Sequence, residues 1–275
     1  MKTKIMINGL PGNMAKIVAE HAFLNSAFDI IPFSLSSEKN AGKKYLINNS
    51  LSVKLIPPQK HLKTLIQLKK TEKFFIIIDF AVPSSVNING KAYCKAKIPF
   101  VMGTTGGDVE LLEKDILKAS IPAVIAPNMA RQVVAFQAML EFAVDSFPDL
   151  FKGYSLKAVE SHQSQKVGTS GTAEVVVECF KKLGALFSDN DFYMERDPQK
   201  QLKEWKIPNE HLGGHGWHTY TLNSDDSNVK FEFTHNVCGR NTYIAGAFDA
   251  IFYLANKTLS GCKGKVFSMI DVLKK

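Results

Sequence analysis

Arginine is scarce in this chain: only Arg131, Arg196 and Arg240 stand among its 34 cationic side chains. Arginine is the usual bidentate reader of guanine edges, and no lysine block exceeds two residues. The net charge of +8 therefore reads as a solvated lysine surface and argues against a nucleic-acid partner. Long apolar runs are missing too. The longest, "FFIII" at 74–78, ends at Asp79, far short of the roughly 20 residues a membrane span needs. Four cysteines, Cys94, Cys179, Cys238 and Cys262, lie far apart with no C-x-x-C pair, as expected of reduced thiols in a reducing compartment. The N-terminus enters "KIMING" within a few residues, so no targeting peptide and a cytoplasmic location are expected.

What is present is a soluble globular composition, 45% apolar over 275 residues, with room for two domains. Short apolar runs at 4–8, 28–33, 74–80, 99–105 and 122–128 read as strands, and periodic segments at 14–23, 60–70 and 108–120 as helices. Strands that are apolar throughout and alternate with helices predict a parallel sheet covered on both faces, a Rossmann-like doubly wound α/β domain. After Asn128 the pattern changes. A helix over 129–147, a strand near 153–161, a helix from about Ser170 and two alternating strands at 216–222 and 229–237 predict an α+β domain. Helices at 241–256 and 264–273 are expected to return to the first domain. The expected division is 1–128 plus 241–275 for dinucleotide binding, and 129–240 for substrate binding and catalysis.

"INGLPGNMAKIV" sets Gly9 and Gly12 between the first strand and the first helix. One glycine permits the tight turn, and the second lets a pyrophosphate approach the helix N-terminus. The second strand runs into "SLSSEKN" with no acidic tip; Ser34 stands where a carboxylate would grip an adenosine ribose, which favours NADPH over NADH. The segments "GTTGG" (103–107) and "APNM" (126–129) leave successive strands at the ends where parallel sheets hold ligands. "HLGGHGWH" offers His211, His215 and His218 but no cysteine or carboxylate to complete a set, so no metal site is expected. "VESHQSQKVGTSGTAEVV" (159–176) is denser: His162 can carry a proton, Lys166 is a cation, and Ser170, Gly171 and Thr172 open a helix whose N–H groups suit a carboxylate. Together they suit an anionic substrate that must be protonated.

The run E-S-H-Q-x-x-K-x-x-x-S-G-T-A, Glu160 to Ala173, resembles the active-site loop of the 4-hydroxy-tetrahydrodipicolinate (dihydrodipicolinate) reductases, most of all their plant-type branch. "PFVMGTTGGD", "QVVAF", "FPDLFKGYSL", "RDPQKQ" and "EFTHNVCGR" resemble plant-type segments in the same order. The resemblance implies NAD(P)H-dependent reduction of 4-hydroxy-tetrahydrodipicolinate to tetrahydrodipicolinate, on the route to diaminopimelate and lysine. Loss of the 4-hydroxyl leaves a conjugated imine that takes hydride at C4, and a proton must reach the ring. It implies His162 as proton donor and Lys166 as partner cation, with Gln163, Ser170, Gly171 and Thr172 beside the dicarboxylate. Gly9, Leu10, Pro11, Gly12, Asn13, Met14, Ser34, Phe80, Gly103, Thr104, Thr105, Ala126, Pro127, Asn128 and Met129 are expected to line NADPH or NADH. A homo-oligomer, dimer or tetramer, is expected. Two positions depart from the pattern: Gly168 replaces an acidic residue after the lysine, and Ala15 a third glycine. The rival reading is a nucleotide-binding sensor without catalysis, which has no use for both His162 and Lys166.

Overall fold

The computed structural model describes residues 2–274. The chain forms two compact units, one running through Met129 and resuming at Tyr243, the other spanning Ala130–Thr242. In order, the first unit contains β1 (Thr3–Asn8), α1 (Asn13–Leu24), β2 (Phe28–Ile30), β3 (Phe33–Leu35), β4 (Lys44–Ile47), β5 (Leu51–Ile56), α2 (His61–Glu72) and β6 (Ile76–Asp79). It continues through α3 (Val86–Ala96), β7 (Phe100–Met102), α4 (Val109–Ala119) and β8 (Pro122–Ile125). The second unit holds α5 (Arg131–Ser146), β9 (Tyr154–His162), α6 (Gly171–Lys182), β10 (Phe192–Glu195), α7 (Pro198–Lys203), β11 (His215–Ser224) and β12 (Lys230–Cys238). The chain closes with α8 (Thr242–Leu259), β13 (Lys265–Ser268) and α9 (Met269–Leu273).

Six parallel strands make the main sheet of the first unit, in the order β13-β8-β7-β6-β1-β2. β6 and β7 are buried along their whole length, as a sheet covered on both faces requires. The chain builds outward on one side of β1 with β2 and on the other with β6. That reversal opens a crevice at the carboxyl ends of β1 and β6, where such sheets bind ligands. A buried polar network holds those ends together. Asp79, fully buried, accepts hydrogen bonds from Asn89 Nδ2 (2.9 Å) and the Tyr93 hydroxyl through Oδ2, and from the Ala81 N–H (2.8 Å) through Oδ1. Asn8 donates to Tyr93 Oη (2.8 Å) and accepts the Leu35 N–H (2.8 Å).

Two features depart from the sequence-based expectation. The run at 28–33 breaks at Pro32, and its second half joins a small sheet, β3-β5-β4, whose hairpin turns through Asn48 and Asn49 with φ of 46° and 54°. The segment 264–273 is not one helix. β13 pairs in parallel with β8 as the sixth strand of the main sheet, and Ser268 then caps α9 by accepting the Asp271 N–H. Among the described residues no helix is long and apolar enough to cross a membrane.

The second unit is α+β, with a four-stranded mixed sheet in the order β10-β9-β11-β12. Its core face carries Leu156 and Ala158 of β9 and Tyr220 and Leu222 of β11, packed with Val176 and Phe180 of α6. Because side chains alternate along a strand, Glu160 and His162 point to this same face.

Candidate active site

At the β1–β6 crevice two glycines are required by space. Gly9 has φ of +101°, and a Cβ there would lie 2.4 Å from the Phe80 carbonyl oxygen. A Cβ on Gly12, the N-cap of α1, would lie 2.8 Å from the Gly9 oxygen. The loop is thus folded tightly on itself and against Phe80, with Gly12 and Asn13 exposed at the start of α1, a cradle that fits a pyrophosphate. Gly103 lies against Phe80 and Met129: a Cβ there would meet the Phe80 ring at 2.4 Å and Met129 Cε at 3.0 Å. The expected cofactor segments at 9–14, 80, 103–105 and 126–129 therefore converge at the carboxyl ends of neighbouring strands. Thr104 is fixed by its hydroxyl to Asp79 Oδ1 (3.1 Å). Leu10, Ala126 and Met129 have buried side chains, while Pro127 and Thr105 are exposed.

Ser34 does not take the expected position. It is fully buried, and its Oγ accepts the Leu10 N–H at 3.2 Å, so it shapes the glycine loop from behind and faces no ribose. Ser36, half-buried, donates to the Leu10 carbonyl (2.7 Å). A contribution that the sequence did not suggest comes from α8, where Gly246 leaves room for the Met129 carbonyl; a Cβ would lie 2.0 Å from that oxygen.

In the second unit, strand register assembles the other site. β11 runs antiparallel to both β9 and β12, placing His218 opposite Glu160 on one side and His235 on the other. Gly216 sits opposite His162. The row Glu160–His218–His235 therefore crosses three strands on the core face, with His162 beside it, at the end where the apolar packing stops. His162 Nδ1 lies 3.0 Å from the His215 carbonyl oxygen, so Nδ1 carries a hydrogen and donates it. His162 Nε2 lies 3.2 Å from His218 Nε2 and 3.8 Å from Glu160 Oε2. His218 Nε2 is 3.6 Å from the same carboxylate oxygen, and the His218 and His235 rings stack with centroids 4.6 Å apart.

Glu160 is fully buried. Its Oε1 accepts from Arg196 and its Oε2 accepts the Ser170 N–H at 3.0 Å. Arg196 also donates to the carbonyls of Lys166 (3.3 Å) and Gly168 (3.0 Å), tying the 163–170 loop to β9. Gln201 of α7 donates to the His162 carbonyl (2.7 Å). Burial opposes the charge on Glu160, but the approach of His218, the Arg196 guanidinium, the His162 ring and the Ser170 N–H outweigh it and hold the carboxyl at about 2. Burial first, then the charge of His218, pushes His162 down to about 4 despite the Glu160 carboxylate; Lys166 and Arg196 act in the same direction. Burial, then His218, likewise lowers His235 to about 4.

Of the expected substrate residues, Ser170 is the N-cap of α6 and is buried, and its N–H is already engaged by Glu160. Gly171 is exposed, and a Cβ there would meet nothing within 4 Å. Thr172, Gln163 and Lys166 are half-buried. Glu160, Arg196, His215, His218, His235 and Gln201 carried no assigned role in the sequence. "RDPQKQ" and "EFTHNVCGR" contain three of them, but only the register shows what they do. The carboxylate missing from "HLGGHGWH" comes from β9.

Family models described as "Dihydrodipicolinate reductase, N-terminus" and "Dihydrodipicolinate reductase, C-terminus" match residues 3–129 and 132–273. The chain belongs to the dihydrodipicolinate reductase family. The "Probable 4-hydroxy-tetrahydrodipicolinate reductase 1, chloroplastic" of Oryza sativa subsp. japonica is 43% identical over 98% of this chain and 78% of its own length. The "4-hydroxy-tetrahydrodipicolinate reductase 2, chloroplastic" of Arabidopsis thaliana is 41% identical over 98% and 77%. A solved structure, "Dipicolinate bound Dihydrodipicolinate reductase from Paenisporosarcina sp. TG-14", superposes with a TM-score of 0.66 at 17% identity, covering 98% of this chain and 99% of that one, and so shares the fold of this reductase. The expected cytoplasmic location is corrected by the same comparison: four plant relatives at 40–43% identity are all chloroplastic.

Proposed function

We propose that this reductase converts 4-hydroxy-tetrahydrodipicolinate to tetrahydrodipicolinate with His162 as proton donor, in the route to diaminopimelate and lysine. The first unit is the dinucleotide-binding domain, with the loops at Gly9–Met14, Phe80, Gly103–Thr105 and Ala126–Met129 against NADPH or NADH. When bound, the reduced nicotinamide supplies the hydride. The second unit binds the dicarboxylate and delivers the proton.

The observation that carries this reading is the fixed tautomer of His162. Its Nδ1–H is committed to the His215 carbonyl, so Nε2, which faces His218 Nε2 at 3.2 Å, is the nitrogen that takes up and releases a proton. With its affinity lowered to about 4, the ring is neutral at pH 7 in the free protein. A bound dianion adds negative charge beside it and raises that affinity, so the acid is armed when substrate arrives. Lys166 gives the same dianion a fixed cation. The Gly171 and Thr172 N–H groups at the start of α6 hold a carboxylate. The Ser170 N–H is left to Glu160. A homo-oligomer is favoured by α5, which exposes Met139 and Phe142.

The test is a coupled assay in which aspartate semialdehyde, pyruvate and a dihydrodipicolinate synthase generate substrate, and nicotinamide oxidation is followed. His162→Ala is expected to lower kcat by about 10²–10⁴ with cofactor affinity unchanged. Near-normal kcat would give the proton to another group.

A further inference from the structure

Glu160, His162 and His218 converge three ligating atoms, Oε2, Nε2 and Nε2, within 4.8 Å of one another. We propose that this cluster is a binding site for a borderline divalent transition ion of the Zn²⁺ or Co²⁺ kind. The inference goes beyond the reductase reading, which needs no metal, and stands on the geometry of the side chains alone.

The three atoms are separated by 3.2, 3.6 and 3.8 Å. A point equidistant from atoms so spaced lies about 2.1 Å from each, the length of zinc bonds to imidazole nitrogen and carboxylate oxygen. Two histidines and one glutamate are also a donor set that zinc uses when one coordination position stays open. The donors are ordered before any ion arrives. All three come from the paired strands β9 and β11, in a register that leaves little freedom.

One outer contact supports this reading. Metal-bound imidazoles generally donate their other N–H to a carbonyl or carboxylate, and His162 does so to His215. That bond leaves its Nε2 with a lone pair facing the cluster. His218 has no such outer partner among the described residues, since its buried Nδ1 is unpaired; an ion on Nε2 must shift the ring proton to Nδ1, a cost that lowers the affinity. Glu160 is buried, and Arg196 and the Ser170 N–H orient it. The guanidinium on the other carboxylate oxygen tempers the site's negative charge, so moderate affinity is expected. An ion in this position occupies His162 Nε2, the nitrogen assigned to proton transfer, and holds the enzyme inactive until it leaves.

The experiment is a titration of the full-length protein with Co²⁺, read by visible absorption, followed by displacement with Zn²⁺. It omits the dicarboxylate, which would itself chelate the ion. One equivalent should bind with the spectrum of a low-coordinate nitrogen–oxygen site, and Zn²⁺ should abolish it. His218→Ala and His162→Ala each remove one donor from a different strand, and each should weaken binding at least tenfold, the least that loss of an outer partner costs. His211→Ala, outside the cluster, should change nothing. Absence of saturable Co²⁺ binding would overturn the proposal, as would undiminished binding in both cluster variants. A strong thiolate charge-transfer band would do so too, because it would assign the ion to a cysteine such as the exposed Cys238. Turnover is not measured in any of these arms, so failure here leaves the reductase reading untouched and its failure leaves this one standing.

Discussion

Replacing Glu160 with glutamine separates its electrostatic role from its structural one, because shape is kept and charge is lost. The carboxylate oxygen lies 3.8 Å from His162 Nε2. Two unit charges at that distance interact by about 4 kcal/mol at the effective dielectric of about 20 that suits protein sites. Arg196 on the other oxygen cancels a good part of this. About 1.4–2.7 kcal/mol of proton affinity at His162 should remain attributable to Glu160, equivalent to a tenfold to hundredfold fall in the protonated fraction. Glu160→Gln is therefore expected to lower kcat/KM by about 10–100-fold at pH 7, with the loss shrinking as pH falls. The variant also leaves Arg196, only 19% exposed, without its anion. Breaking a buried pair costs about 3–5 kcal/mol, and the amide oxygen still accepts one hydrogen bond, so the low end applies. For a chain of this size that lowers Tm by roughly 6–12 °C. The assays are a pH–rate profile below the variant's Tm and calorimetric unfolding. A variant with the expected fall in Tm but wild-type kcat/KM and pH profile would show that Glu160 only braces the strand, and the account of His162 would be wrong.

Gly216→Ala would place a Cβ 2.9 Å from His162 Cε1 and push the imidazole off its line, so kcat should fall about 10²-fold while NADPH affinity holds; unchanged kcat would mean that the ring position is not critical. Stability should decline as pH falls from about 6.5 toward 4, because His162 and His235 are lowered to about 4 by burial and the unfolded chain takes up protons in that window that the folded chain refuses. Glu160, held at about 2, adds a second loss only as pH drops below about 4.5, and Tm flat between pH 7 and 4.5 would contradict the histidine assignment. NADPH should be preferred several-fold over NADH at low ionic strength, since Lys39, Lys43 and Lys44 are exposed and Glu38 is turned to Gln59 (3.2 Å); the preference should shrink with salt, and an NADH preference at low salt would assign Glu38 to the ribose.

The parallel sheet was legible because its strands are apolar throughout and spaced by helical periods, a pattern local to each element. The β4–β5 hairpin escaped although Asn48 and Asn49 are residues that tolerate the left-handed turn conformation, because its strands carry Lys44, Lys54 and Ser52 among the apolar residues. β13 escaped because "KVFS" is only four residues long and is followed at once by a capped helix. In the candidate site, His162 and Lys166 stood out in the sequence because one short stretch carries both. Glu160 was in the same quoted run, yet its role depends on Arg196, 36 positions away, and on His218, opposite it across the sheet. No linear spacing encodes that pairing. What encodes it is the alternation of Tyr220 and Leu222 on β11 with Leu156 and Ala158 on β9, which must share a face to fill the core. A slip of one residue would expose Tyr220 and Leu222 and bring Trp217 opposite Glu160. The apolar end of the sheet therefore sets the register, and the register delivers His218 and Gly216 to the candidate site.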